Sequence, residues 1–505
     1  MEEHTGEIIK GRYRVLLSIV LFFQMANCNV VGQLFSYFFL NPTVECDDKY
    51  KDESTKECNL SKMCQDNVFI NIIDSETLKN WSTIFNLYCP ETSYKVIIQT
   101  IYFIASGIFP MCLSSLPDKF GRMRMLNIMM ILMLCAFILV LYNNKVVHCI
   151  SMFFCGGLIM IYNVESQIIT EYYSPKVRGI ITGFFCAAIP VFGIGFILMF
   201  YYLKDLRYFW YSLIGIQVAS IMIVSIFFVE SPIWLLSLNR NKDALLQLYK
   251  VAKINGKIEQ YKKVEQIISE LPPKKLNEKV KTYNMLDVFK FKSTRKIVSL
   301  VGVFWPAVMF FDFTVFLNLG KSGSDVYLHG IVVFIACAVA ALIAGALADY
   351  FGRKKVMIAS IFMSCIPYVN VITPYCSQHE NLLIVETILL FISCISIETA
   401  FTVVVIYASE VFPTSIRSTA SGCLYLFSRI GGIAAPYGVA YLTYPQYIVS
   451  AILFLTLLLV LPLKETKGQK LKEDIEENSL VKQEILLHST EEEEAETTGE
   501  VELQA

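Results

Sequence analysis

Five ionisable side chains stand inside otherwise apolar stretches of this chain: Glu165, Asp312, Glu386, Glu398 and Arg429. A carboxylate or guanidinium at the centre of a bilayer costs about 3 kcal/mol, so five unpaired would cost on the order of 15 kcal/mol. Each should therefore face a partner or a cavity, not lipid. Their chemistry is the recognition of charge. Acids attract a cation, a proton or a sodium ion, and an arginine grips a carboxylate through paired N–H donors. Glu386 lies near the outer end of its stretch and can snorkel to the interface. Glu165 lies toward an inner end and suits either a structural pair or a ligand contact. Phe304, Trp305, Phe310, Phe311 and Phe313 surround Asp312 in sequence and can offer ring faces to a cation. Catalysis is not indicated. The five histidines, His4, His148, His329, His379 and His488, are scattered, and the chain has no GxxxxGK[ST] loop. No metal, cofactor or enzymatic activity is expected.

The elements that must position these charges are membrane spans. The 505 residues are 55% hydrophobic and 17% charged, where a soluble chain carries ~25% charged residues. Apolar windows lie near 15–40, 96–116, 124–142, 146–170, 179–203, 208–229, 297–318, 326–348, 355–375, 382–407, 418–442 and 446–462, long enough for a hydrocarbon core of ~30 Å. They predict an all-α polytopic membrane protein with twelve transmembrane helices in two six-helix bundles. Lys10, Arg12 and Arg14 precede the first span, and the short connections after spans 2, 4, 8 and 10 carry Arg122, Arg178, Arg353 and Arg417. Both termini are thus expected in the cytoplasm, with the first span an uncleaved signal anchor.

The expected organisation is a cytoplasmic N-terminus (1–14), a first bundle (15–229) with an extracellular loop at 41–95, a cytoplasmic helical loop (230–296), a second bundle (297–462) and a cytoplasmic tail (463–505). The tail is disordered by composition and carries a charge of −8 against +7 for the rest. The central loop holds 15 Lys/Arg. These basic residues lie in connections and do not form one face, so nucleic acid is not an expected partner. The outer loop contains both sequons of the chain, at Asn59 and Asn80, with Cys46, Cys58, Cys64 and Cys89. Sequons and basic residues assign this loop to the same side independently. Glycosylation and two disulfides are expected there, with three pairings open. The other eleven cysteines read as small buried apolar residues.

The chain repeats itself. LPDKFGRMR (Leu116–Arg124) follows span 2 and LADYFGRKK (Leu347–Lys355) follows span 8, with Asp118 and Asp349 231 residues apart. EYYSPKVRG (Glu171–Gly179) follows span 4 and EVFPTSIRS (Glu410–Ser418) follows span 10; Glu171/Glu410 and Arg178/Arg417 are each offset by 239. Two halves with the same motifs in the same order indicate a duplicated six-helix unit. In each loop the glycine permits the reversal, the aspartate can cap a helix, and the arginine can reach a carboxylate across the bundle mouth.

This duplicated pattern resembles the major facilitator superfamily. NWSTIFNLYC (Asn80–Cys89), ESPIWLL (Glu230–Leu236), AKING (Ala252–Gly256), SEVFPTSIR (Ser409–Arg417) and KETKG (Lys464–Gly468) further resemble the organic cation/anion/carnitine transporter family. Sugar porters share the ESP-WL and ETKG elements but lack the large first loop and AKING, and stand second. Departures are Ser114 for the usual glycine, Ile233 for the usual arginine, and four outer-loop cysteines where six are common. The resemblance implies a secondary transporter of small organic ions working by alternating access. Four acids against one base favour a cation or zwitterion, whereas a basic residue at Arg429 is similar to the anion and carnitine-type members. A carnitine-like zwitterion satisfies both. Expected substrate ligands are Arg429, Asp312, Glu398, Glu165 and Trp305; expected gating residues are Asp118, Arg122, Glu171, Arg178, Asp349, Arg353, Glu410 and Arg417. Glu171 or Glu410 would pair with these arginines when the inner mouth closes. A monomer in the plasma membrane is expected, with a coupling proton or sodium ion accommodated at Glu398 or Asp312. A receptor or scaffold that keeps the fold without transport is the alternative of a different class.

Overall fold

The structure is a computed structural model that describes residues 2–50, 58, 60–66, 70–73, 75–89, 92–113, 116–173, 178–238, 240–270, 285–290, 292–319, 326–368, 383–412, 417–442 and 445–467. We label the membrane-crossing helices in chain order. The first half holds α1 (Arg12–Gln33), α2 (Thr92–Leu113), α3 (Arg122–Val140), α4 (Lys145–Gly157, a tight turn Leu158–Met160, then Ile161–Tyr172), α5 (Arg178–Cys186 and Ala188–Leu203) and α6 (Arg207–Phe227). The second holds α7 (Lys292–Asn318), α8 (Val326–Phe351), α9 (Arg353–Tyr368), α10 (Leu383–Val411), α11 (Arg417–Tyr441) and α12 (Pro445–Val460). Among the described residues, α1 to α8 and α10 are each long and apolar enough to cross a bilayer. The other three complete twelve, because they occupy in the second half the places that α3, α5 and α6 hold in the first. The all-α class and the twelve-helix architecture read from the sequence hold.

In the first half α1 packs on α5 and α6, α3 on α4 and α6, and α2 on α4. In the second, α7 packs on α11 and α12, α9 on α10 and α12, and α8 on α10. Adding six to every label turns the first set of contacts into the second, so the duplication seen in the loops extends to the packing. The halves meet along α2 against α11 and α5 against α8. Backbones come close there: a Cβ added to Gly183 of α5 would lie 2.6 Å from the carbonyl oxygen of Ala341 on α8. Small residues permit such approaches where no water drives helices together. Val15, Ile19 and Phe23 of α1 and Leu455 and Leu458 of α12 remain exposed, as a lipid-facing surface requires.

A short helix, Glu2–Ile9, packs on two helices of the connection between the halves, Asn241–Asn255 and Ile258–Glu270. Asn255 clasps it. Its Nδ2 donates to the carbonyls of Ile8 (2.8 Å) and Ile9 (3.2 Å), and its Oδ1 accepts from the backbone N–H of Tyr13 at 2.9 Å. Gly256, with φ 70°, ends that loop helix. In the outer loop, disulfides join Cys46 to Cys58 and Cys64 to Cys89, one of the three pairings left open. Val44–Glu45 and Asn71–Ile72 form a small antiparallel pair.

Asn80 departs from expectation. Its side chain is fully buried, Nδ2 donates to the carbonyls of Tyr37 and Leu40 at 2.9 Å each, and Oδ1 caps the helix Trp81–Ile84 by accepting from the backbone N–H of Thr83. Both amide hydrogens are engaged. A sugar on Nδ2 would displace them and has no open space to enter, so Asn80 is a structural cap in this fold. Asn59 lies outside the described residues.

Candidate functional site

Two groups hold the candidate residues. The first lies at the ends of the bundles that carry the repeated loops. Gly121, with φ 104°, and Gly352, with φ 99°, turn the chain into α3 and α9, which leaves the first N–H groups of each helix needing acceptors. Glu230, just after α6, accepts from the N–H groups of Arg122 (2.8 Å), Met123 (3.1 Å) and Arg124 (3.4 Å). Glu465, just after α12, accepts from those of Arg353 (2.8 Å) and Lys354 (3.1 Å). A carboxylate at a helix N-terminus also meets the favourable end of the helix dipole. Burial pushes Glu465 up, yet hydrogen bonds from the backbone of Lys467, Arg353, Lys354 and Thr466 hold its carboxyl below the usual range.

Behind each cap stands an ion pair. Arg122 pairs with Glu171 at the end of α4, and Arg353 pairs with Glu410 at the end of α10 at 2.8 Å. Asp349 adds a second contact to Arg353 at 2.8 Å. The Ser231 hydroxyl donates to Glu171 (2.5 Å), and the Thr466 hydroxyl donates to Glu410 (2.7 Å). Glu230–Ser231 and Glu465–Thr466 are 235 residues apart, so the ESP and ETK elements are a third copy of the repeat. Sequence reasoning quoted both and missed that they correspond. The signal was available, since each is a glutamate plus hydroxyl directly after the last helix of its half, at an offset between 231 and 239.

Of the expected gating residues, Arg122 pairs with Glu171 and Arg353 with Glu410. The outer ends of the halves are joined here. Tyr37, just beyond α1, donates from its hydroxyl to the carbonyl of Val326 at 3.0 Å, and Lys204 sits over the Tyr327 ring at 4.7 Å. Yet Arg122–Glu171 and Arg353–Glu410 both lie within their own halves. They brace each bundle and do not bridge the inner mouth. The side chains of Asp118, Arg178, Arg417 and Glu386 lie outside the described residues.

The second group lies within the spanning helices α7, α10 and α11 of the second half. Asp312 of α7 and Glu398 of α10 feel each other's charge, beside the thiols of Cys337 on α8 and Cys394 on α10. Among the described residues no cation pairs with either acid. Arg429 of α11 leans on α2: a Cβ on Gly107 would lie 3.4 Å from its Cβ, and its guanidinium is within electrostatic reach of Tyr102 of α2 and Tyr425 of α11. Its Nε has no acceptor. Trp305, fully buried, supports Tyr425 with ring centroids 5.0 Å apart and meets Phe401 at 6.4 Å. The second half thus places one base and two acids within its spanning helices.

Glu165 of α4 is 0% exposed within the first bundle, and neither of its carboxyl oxygens has a hydrogen-bond partner.

Twelve helices in two superimposable sixes, meeting along α2/α11 and α5/α8, define a polytopic membrane protein of major facilitator fold. A family model described as Major Facilitator Superfamily matches residues 297–491. Among curated relatives, "Solute carrier family 22 member 6" of Pseudopleuronectes americanus is 25% identical over 360 residues, which cover 70% of this chain and 62% of that protein. "Organic cation/carnitine transporter 2" of Homo sapiens is 24% identical over 415 residues, 79% of this chain and 72% of the relative. The chain thus spans less than two thirds of the flounder relative. Among solved structures, the inward open conformation of the xylose transporter XylE from E. coli matches with TM-score 0.62 at 17% identity, covering 89% of this chain and 98% of that one. The human organic anion transporter MFSD10 matches with TM-score 0.53 at 10% identity, over 91% and 99%. The resemblance read from the motifs is borne out: the chain is similar to the major facilitator superfamily and, within it, to organic anion, cation and carnitine transporters.

Proposed function

We propose that this protein is a secondary transporter that carries small organic ions, cationic or zwitterionic and of the carnitine-like kind, across a membrane by alternating access. The observation that carries the reading is that Arg429 on α11, Asp312 on α7 and Glu398 on α10 all lie within membrane-spanning helices with no ion-pair partner among the described residues. A substrate carboxylate would satisfy Arg429, and an ammonium would lie between the acids. Trp305 acts through Tyr425 as a positioning residue. The two halves rock about this site, with the Tyr37–Val326 contact closing the outer side and the braced inner ends moving as rigid units. The plasma membrane is the proposed site, reached through the secretory pathway.

The test is uptake of labelled carnitine, tetraethylammonium, an aromatic anion and glucose, by wild type and by Arg429→Ala, in cells that lack the protein. Carnitine uptake should fall at least tenfold in the variant while tetraethylammonium uptake falls less than twofold. Uptake of glucose alone would move the protein to the sugar porters. No uptake of any of the four by well-expressed wild type would favour a receptor that keeps the fold.

A further inference from the structure

Lysines and large apolar side chains share one uncovered face of the helix Asn241–Asn255, in the connection between the halves. Its inner side, Ala244, Leu248, Val251 and Ala252, is buried, where the helix packs on Glu2–Ile9, on its neighbours Pro232–Ser237 and Ile258–Glu270, and on α1. Lys242, Leu246, Tyr249, Lys250 and Lys253 recur with the helical period and stand together on the opposite side. The three lysines are exposed, and so are Leu246 by 53% and Tyr249 by 41%. Among the described residues no acid pairs with these lysines, and Asp243 beside them is held by Arg240 at 2.7 Å. Ammonium groups set between apolar bodies fit a partner that carries carboxylates and aliphatic side chains together. An anionic lipid surface has the charge. Yet the helix packs on α1 by its other side, so this face turns away from the bundle that lipid surrounds.

The chain itself holds a complementary segment. Residues 468–505 lie outside the described residues and carry 12 Asp/Glu against 3 Lys, a net charge of −9. Within them EILLHSTEEEEAE (Glu484–Glu496) sets Ile485, Leu486 and Leu487 beside Glu491–Glu494 and Glu496, with no Lys or Arg. The point of departure is fixed. Lys467, the last described residue, donates from Nζ to the carbonyl of Tyr350 at 2.6 Å, next to the Glu465 cap of α9. The matching cap of α3 by Glu230 marks where the connection between the halves begins, so both segments leave the bundles at the end that carries the repeated loops. Glu491 is 24 residues beyond Lys467. A coil of that length spans about 25–30 Å on average and roughly 80 Å fully extended, against about 8–10 Å between packed helices. The acidic run therefore reaches across the bundle end at high effective concentration.

We propose that residues 484–496 dock on the Lys242, Lys250 and Lys253 face and so strap the chain that leaves α12, in the second half, to a helix that packs on α1, in the first. The carboxylates pair with the three lysines, and Ile485, Leu486 and Leu487 cover Leu246 and Tyr249. The docking does not depend on the transport reading. The test uses purified full-length protein in lipid nanodiscs and a water-soluble carbodiimide, which joins an amine to a carboxylate only where the two touch. Linked peptides are read by mass spectrometry. In neutral phosphatidylcholine, Lys242, Lys250 or Lys253 should be joined to Glu484–Glu496 of the same chain. The yield should fall at least about fivefold between about 0.05 M and 0.5 M salt, as screening shortens the reach of the charges. Joint replacement Glu491→Gln, Glu492→Gln, Glu493→Gln and Glu494→Gln alters no described residue, and it should cut the links from Glu484 and Glu496 to these lysines at least about fivefold. Links unchanged by that replacement overturn the proposal, as does a complete absence of links or their even spread over Lys262, Lys263 and Lys354. In an equal mixture of nitrogen-15 and unlabelled protein, linked peptides of mixed isotope would give the face to a second copy and overturn it. Links lost when phosphatidylserine replaces about a third of the lipid would give the face to the anionic bilayer surface, and overturn it equally.

Discussion

At the scale of single residues, the sequence identified which side chains were unusual better than it identified what they do. Asn80 was recognised from its Asn-Trp-Ser context, yet a sequon reports only local sequence, whereas the cap reports where the chain folds back. Asn80→Ala removes the acceptor for the Thr83 N–H and the two donors to Tyr37 and Leu40. It should lower stability by about 1–2 kcal/mol, the usual cost of a lost cap. It should leave glycosidase-sensitive gel mobility unchanged; a mobility shift in the variant would restore the sugar. Glu465 gives a pH signature. Its folded carboxyl is held below the usual range, so its contribution is fully present above the unfolded value of ~4.3 and is lost as pH falls through the lower folded one. The melting-temperature difference between wild type and Glu465→Gln should therefore be constant at neutral pH and shrink below about pH 4.

At the scale of elements, the loops carried more information than the helices. Apolar windows fixed the count and type of the spans, because bilayer thickness dictates their length. They could not say which charge meets which, since Arg122–Glu171 and Arg353–Glu410 join helices through tertiary packing. The Asp, Gly and Arg of the loop after α2 were legible, and so was their repeat after α8. The roles of Glu230 and Glu465 were not, because the N–H groups that they cap belong to helices more than a hundred residues away. For Glu165, depth along a helix is visible in the sequence, but which face turns inward is not. Since each ion pair braces its own bundle, Arg122→Ala and Arg353→Ala should both lower the transport rate several-fold while surface abundance stays within about twofold. Uptake unchanged in both variants would remove these arginines from the moving parts.

At the scale of the whole molecule, Tyr37 and Val326 join the two halves, and on the transport reading this contact would bias the balance between states. Tyr37 holds Val326 through a hydrogen bond and lies against the Tyr327 ring at 5.9 Å, beside the packing of α5 on α8. A single hydrogen bond is worth about 1 kcal/mol net. Its loss shifts a two-state equilibrium by roughly fivefold, with no effect on the affinity of either state. Tyr37→Phe keeps the ring and removes only the donor. With a cysteine at Leu328, an exposed residue of α8 near this contact, the variant should react with a membrane-impermeant maleimide about fivefold faster than the Tyr37 parent. Carnitine should reverse the difference only if its bound form favours the closed outer mouth. Equal labelling rates in the two proteins would mean that the halves are held together elsewhere. The long interface of α5 against α8, where Gly183 nears Ala341, would then be the element to test.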